Sequence, residues 1–220
     1  MADARRRTAV LISGRGSNLS ALIEAASAAD YPAEIALVLS DNPKAAGLGF
    51  AREAGIETAV FEPRHYPTKQ DFEIEIDAKL YDSGIELACL AGFMRVLSNE
   101  FVEAWRDRIL NVHPSLLPLF PGLNTHERAL AAGVRVHGAT VHFVRPEVDS
   151  GPIIVQGAVP VLPTDTPETL AARVLKIEHR LYPLALRLVA SGRVSVVGNI
   201  ATTEEFADFN PGAALLSPSD

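Results

Sequence analysis

In Thr8-Ala-Val-Leu-Ile-Ser-Gly-Arg-Gly-Ser-Asn18, a continuous apolar run breaks at Ser13-Gly14, and Leu19, Leu22, Ile23 and Ala26 follow at helical spacing. An apolar run without polar alternation suits a strand covered on both faces, as in a parallel sheet. The i, i+3, i+4, i+7 stripe after it suits an amphipathic helix. Strand, glycine turn, helix is therefore the opening unit, and its texture recurs. Ile35–Leu39, Thr58–Phe61, Leu87–Ala91 and Ile109–Val112 are further apolar runs. A second helix opens at Thr68, with Asp71 three residues on as an N-terminal cap partner. It carries Phe72, Ile76 and Leu80 on one stripe and ends before Gly84. This alternation predicts an α/β fold, an open, doubly wound, mostly parallel sheet with right-handed crossovers.

Beyond Val112 the texture changes. Pro114, Pro118, Pro121 and Gly122 mark an irregular loop, followed by a short helix around Glu127–Ala132. His137–Val144 and Ile153–Val161 read as two strands whose short connection, Pro146–Pro152, fits an antiparallel addition at the C-terminal side of the sheet. Thr166 caps a long helix with Pro167 in its first position. Its stripe is Leu170, Val174, Ile177 and Leu181, and Pro183 is expected to end or kink it. The stretch after Asn199 has no clear period and is expected to be mobile. No internal repeat or low-complexity segment appears. We expect one domain over residues 1–220, with an N-terminal half at about 8–105, a C-terminal half at about 106–199 and a tail at 200–220.

Composition narrows the function classes. With 220 residues, 48% of them hydrophobic and 21% charged, the chain has the apolar surface that a disordered chain lacks. The net charge of −7 argues against a nucleic-acid partner, which needs a surplus of cations. It leaves room for a small anion held by local donors. The apolar run Ala9–Ile12 is too short for a secretory signal, and no stretch of about 18 apolar residues suggests a membrane span. The lone Cys89 is compatible with a reducing compartment, and a cytoplasmic location is expected. The sequence leaves a homodimer open.

Three segments can carry chemistry. Gly14-Arg15-Gly16-Ser17-Asn18 places backbone N–H groups at a helix N-terminus, which favours phosphate. The dinucleotide fingerprint wants a glycine where Leu19 stands, and a Walker loop wants Gly-Lys-Ser/Thr. A sugar phosphate remains, and so does a plain tight turn. In Asn111-Val-His-Pro-Ser-Leu-Leu-Pro118, Asn111 and His113 are two apart and project to one face at the carboxyl end of a strand. An amide donor beside an imidazole can serve acyl transfer by stabilising an oxyanion and exchanging a proton; a structural pair bonding loop backbone is the alternative. Asp149, in a Gly/Pro turn, either bonds its own turn or is delivered to His113, where it favours the imidazolium.

His137 and His142, five apart, face opposite ways along a strand and make a poor metal pair. His65, His126 and His179 suit structural or solvated roles, and no ligand cluster suggests a metal. The serines lack a Gly-x-Ser-x-Gly elbow. Phe93, Met94 and Cys89 suit the core.

Together, Leu11–Leu19, Leu90–Leu97, Asn111–Pro118, His137–Val144 and Asp149–Pro152 resemble the formyltransferase family that uses 10-formyltetrahydrofolate, over about Thr8 to Asn199. The resemblance implies that family's Rossmann-like fold, 10-formyltetrahydrofolate as co-substrate without a metal, and small-molecule partners. The glycine loop suits a ribonucleotide acceptor, so the implied reaction formylates the amine of 5-phosphoribosylglycinamide (GAR) in purine biosynthesis. By the same resemblance Asn111, His113 and Asp149 are the catalytic trio. Gly16, Ser17, Asn18 and Glu178 bind the acceptor. Lys69, Met94, Arg95, Val96 and Leu97, with Arg145, Pro146, Glu147, Val148, Asp149 and Asn111, form the folate pocket, where backbone groups hold the pterin.

Two departures stand out. Lys69 replaces an arginine often found near the folate's carboxylate end, keeping the cation and losing the bidentate fork. Asn124 stands where relatives often carry a histidine, and the resemblance implies a cis bond at Leu117–Pro118. A formyltetrahydrofolate hydrolase is the nearest rival, disfavoured because such relatives carry an N-terminal regulatory domain. A methionyl-tRNA formyltransferase is disfavoured by its added C-terminal domain and by the acidic charge here. A non-catalytic sugar-phosphate module would need the glycine loop but not the trio.

Overall fold

Leu110 and Val112 point to one side of their strand and Asn111 and His113 to the other, and the architecture explains what each side meets. A computed structural model describes residues 5–203. The strands are β1 (Arg6–Ile12), β2 (Ala33–Ser40), β3 (Glu57–Val60), β4 (Leu87–Leu90), β5 (Ile109–His113), β6 (Val136–Phe143) and β7 (Ile153–Pro160). They form one seven-stranded sheet in the order β3-β2-β1-β4-β5-β6-β7. Pairs among β1–β5 are parallel, whereas β6 and β7 pair antiparallel. The doubly wound, mostly parallel sheet expected from the apolar runs is what the chain forms.

Helices α1 (Ser17–Ala26), α2 (Gly47–Glu53), α5 (Thr125–Ala131) and α6 (Pro167–Ala190), with α3 (Lys69–Asp82) and α4 (Asn99–Ala104), cover the sheet. Val10, Ile12, Leu110, Val112 and Val141 form one core layer with Leu19 and Leu22 of α1 and Val174 and Leu181 of α6. Ala9, Leu11, Leu37 and Leu39 form the other, against Phe72, Ile76 and Leu80 of α3, Phe101 of α4 and Trp105 just after it. Because β1 is buried on both faces, its run shows no alternation.

At α3, Thr68 and Asp71 make the reciprocal capping box. The cap at Thr166 is also present, but α6 does not end at Pro183; it continues to Ala190. A proline inside a helix costs about 3 kcal/mol, and each fully buried large apolar side chain returns roughly 1.5–3 kcal/mol. Tyr182, Ala185 and Leu186 are completely buried around the proline, so packing outweighs the lost hydrogen bond. The Tyr31 hydroxyl also donates to the Pro183 carbonyl at 2.6 Å.

Helices α2 and α4 were not anticipated, being too short, at 7 and 6 residues, to show a period. The expectation of a periodless stretch after Asn199 also needs correction. Ile200–Thr203 forms β9, which pairs antiparallel with β8 (Val194–Val197). The turn between them is Gly198-Asn199, a two-residue hairpin signal. The remainder of the expected mobile tail, residues 204–220, lies outside the described residues.

The strand order locates the ligand site. From β1 the chain builds outward in both directions, through β2 and β3 on one side and β4 onward on the other. Open α/β sheets bind ligands at the carboxyl ends of the strands flanking such a reversal. Here those ends lead into Ser13–Asn18 after β1 and Ala91–Leu97 after β4.

Candidate active site

The loop after β1 needs glycine at one position. Gly16 has φ +77°, and a Cβ there would stand 2.5 Å from Gly47 Cα of α2. This close approach turns the chain into α1, whose first N–H groups have no intrahelical acceptor and carry the positive end of the helix dipole. The Asn18 side-chain amide has a protein partner. Its Nδ2 donates to Glu178 Oε2 of α6 at 2.7 Å, across 160 residues of sequence. Both residues are buried, and Asn18 Oδ1 has no protein partner. Burial pushes the Glu178 carboxyl above its ordinary range, against the opposing pull of the Asn18 hydrogen bond. Gly16→Ala is expected to lose roughly 2–5 kcal/mol of stability, summing left-handed backbone strain and overpacking. Gly14→Ala, with nothing within 4 Å of its Cβ, serves as the control. Equal denaturant midpoints for the two variants would remove the steric argument.

The strip after β4 is suspended between this loop and α3. Met94 N donates to Ser13 Oγ at 2.9 Å, and Ser98 N donates to Glu73 Oε1 at 2.8 Å. Arg95 Nε donates to Asp41 Oδ2 at 2.8 Å, so its guanidinium is anchored beyond the end of β2. Lys69 Nζ stands 3.7 Å from Glu73 Oε1, with its head half exposed beside the strip. Met94 and Val96 are exposed and Leu97 is buried.

The carboxyl end of β5 carries Asn111 and His113. His113 Nδ1 lies 3.2 Å from Asp149 Oδ2, with the two side chains only 7% and 8% exposed. His113 Nε2 lies 3.0 Å from the Phe120 carbonyl oxygen. Both ring nitrogens therefore face oxygen atoms. Asp149 Oδ2 also accepts from Gly122 N at 2.7 Å. The carboxylate thus bonds across 27 residues instead of closing an Asx turn on itself. Asp149 has φ +55°, in the left-handed region that Asp and Asn tolerate better than most residues.

Buried hydrogen bonds hold the proline-rich loop that delivers Phe120 and Gly122. Thr140 Oγ1 donates to the Ser115 carbonyl at 2.7 Å and accepts from Leu117 N at 3.0 Å. Gln156 Nε2 donates to the Leu117 carbonyl at 2.9 Å. The Leu117–Pro118 bond is cis.

The profile of the formyl transferase family matches residues 6–186. The chain belongs to that family. It is 41% identical to phosphoribosylglycinamide formyltransferase of Haemophilus influenzae, over 89% of this chain and 92% of that one. It is 53% identical to the trifunctional purine biosynthetic protein adenosine-3 of Gallus gallus over 86% of its own length, and spans 19% of that relative. Among solved structures, phosphoribosylglycinamide formyltransferase of Brucella melitensis superposes with a TM-score of 0.82 at 53% identity, covering 89% of this chain and 99% of that one.

Within this member of the family, the residues expected at the site divide into those brought together and those turned away. Asn111, His113 and Asp149 converge, and Asn18 meets Glu178. Met94, Val96 and Val148 are exposed on their loops, as are Leu119 and Leu123 of the proline-rich loop. The Arg145 side chain turns away, pairing with Asp107 at 2.5 Å, so only its backbone remains for a ligand. Pro146 and Glu147 lie on the same loop, and the Glu147 carbonyl accepts from Ser150 Oγ at 2.9 Å. Asn124, left-handed at φ +55°, precedes α5 without a side-chain cap. Among the described residues no group of His, Cys, Asp and Glu could hold a metal ion, and no helix is long and apolar enough to cross a membrane.

One neighbour of the trio was missed. His142 Nε2 lies 3.3 Å from Asn111 Nδ2 and 3.8 Å from Asp149 Oδ1. Its spacing from His137 makes it only a poor metal partner of that residue. No local signal marks it, because the antiparallel pairing of β5 with β6 sets position 142 opposite position 111.

His137 takes a different path. Its ring packs against His126 and Phe120, with centroids 5.3 and 5.9 Å away. Burial pulls it down to about 4, helped by the charges of His126 and His113 and opposed by a bond to the Pro114 backbone. The folded chain therefore favours neutral His137, while the unfolded chain takes up its proton near pH 6.5. This contribution to stability is complete above about pH 6.5 and falls away towards about pH 4, amounting to roughly 3 kcal/mol. Melting curves should drop across that window, and His137→Gln should flatten the drop. An unchanged slope in the variant would exclude His137 as its source.

Proposed function

We propose that this chain transfers the formyl group of 10-formyltetrahydrofolate to the amine of GAR, yielding formyl-GAR and tetrahydrofolate, a step of de novo purine biosynthesis. We take it to act on small molecules, without nucleic acid or membrane, as one domain in the cytoplasm. The observation that carries this reading is the convergence of Asn111, His113 and Asp149 beside the reversal of strand order. There the glycine turn and the Asn18–Glu178 pair also open. The relatives' names support the same acceptor.

In this reading the acceptor phosphate sits against the amides of Gly16, Ser17 and Asn18, and Glu178 faces its sugar. The folate rests against Met94–Leu97 and Arg145–Asp149, with Lys69 near its carboxylate end. The amine attacks the formyl carbon, and its carbonyl oxygen becomes an oxyanion. Asn111 offers an N–H to that oxygen, and His113 supplies positive charge. Asp149 is the counter-charge that keeps His113 in this state. A proton leaves the incoming nitrogen and reaches the departing folate nitrogen as the carbon–nitrogen bond breaks.

The test follows tetrahydrofolate release with and without GAR. Release that requires GAR, with formyl-GAR detected by mass, is the expected result. Release independent of GAR would make the chain a hydrolase, and binding of either ligand without release would make it a binding module.

A further inference from the structure

An oxyanion donor works only if its amide points the right way, and an asparagine alone does not choose between its oxygen and its nitrogen. In this chain β5 and β6 pair in a register that sets His142 directly opposite Asn111. The β6–β7 register shifts between Val141 and His142, and irregularities of this kind re-aim side chains next to functional sites. His142 Nδ1 lies 2.8 Å from the Phe143 carbonyl. A carbonyl can only accept, so Nδ1 carries a hydrogen.

The ring is 2% exposed. Burial holds it below its ordinary range; the Phe143 bond and Asp149 push it up, while His113 and Arg145 push it down. A neutral ring with its hydrogen on Nδ1 has a bare lone pair on Nε2. The nearest donor to that lone pair is Asn111 Nδ2, at 3.3 Å. Asp149 Oδ1, at 3.8 Å, is beyond hydrogen-bond reach.

Resting on the formyl-transfer reading, we propose that His142 is a positioning residue: its neutral ring holds one N–H of Asn111, fixing the amide so that the other N–H faces the developing oxyanion. Without this acceptor the amide can flip, presenting its own carbonyl oxygen to the oxygen it must stabilise. His142 acts through Asn111 and touches no substrate.

The test combines kinetics with a spectrum. His142→Leu is expected to lower kcat about 10²-fold, the lower end for losing an oxyanion donor, with KM for both substrates unchanged. His142→Gln, whose side-chain oxygen can accept from Asn111, should recover much of the loss. The Asn111→Ala/His142→Leu double variant should be no slower than Asn111→Ala alone. Nitrogen-15 spectra of the unaltered protein should show His142 protonated on Nδ1 and bare on Nε2 at neutral pH. Normal kcat in His142→Leu, or losses that multiply in the double variant, would overturn the proposal. If His142→Leu melts at assay temperature, the glutamine variant and the spectrum decide, and an Nε2 proton overturns it. Absence of formyl transfer in the unaltered enzyme would instead strike the functional reading and leave the spectrum to judge the tautomer.

Discussion

Asp149→Ala is expected to lower turnover by at least about 10²–10³-fold while the chain still folds. The carboxylate lies 3.2 Å from the His113 ring, and it also anchors Gly122 N at 2.7 Å. Its removal takes away the counter-charge and frees the loop that brings the Phe120 carbonyl to the other ring nitrogen. No regular strand or helix depends on the side chain, so thermal melting should shift only modestly. Asp149→Asn separates the two effects. Asparagine tolerates the left-handed backbone and can still accept from Gly122, but it carries no charge. We expect it to fall nearly as far as alanine. If Asp149→Asn turned over at a near-normal rate, charge would be irrelevant and the residue would be a loop tether.

Asn111→Ala is expected to lose a comparable factor, about 10²–10³ in kcat, with little change in KM for either substrate. An oxyanion donor strengthens its bond as charge develops, so it contributes to the transition state more than to the bound ground state. The side chain sits at the carboxyl end of β5 between backbone positions paired on both sides. Its truncation leaves the sheet intact and removes only the hydrogen bond to His142. A rise in KM with kcat preserved, measured in steady-state assays of tetrahydrofolate release, would move Asn111 from transition-state stabilisation to simple binding.

Much of the fold was legible because its signals are local. The unbroken run at Thr8–Ile12 reflects a strand buried on both faces, and the Thr68 and Thr166 caps depend on residues three positions apart. The spacing of Asn111 and His113 was equally local, since alternate residues of a strand share a face. Pro183 does not end α6, because a rule about one residue met a helix whose neighbouring turns are buried. His142 escaped notice because its meaning lies in the residue across the sheet.

The sequence by itself determined the βαβ order, the helix starts and the residue types available for acyl transfer, since periodicity, capping and turn chemistry act over a few residues. Only the tertiary structure decided which of them meet. The packing of α1 on α6 brings Asn18 to Glu178, and strand order places Met94 beside Ser13. The antiparallel register of β5 and β6 sets His142 against Asn111, and the proline-rich loop carries Gly122 to Asp149. Such pairings are chosen by the packing of the whole sheet and its two helical layers, which no window of neighbouring residues contains.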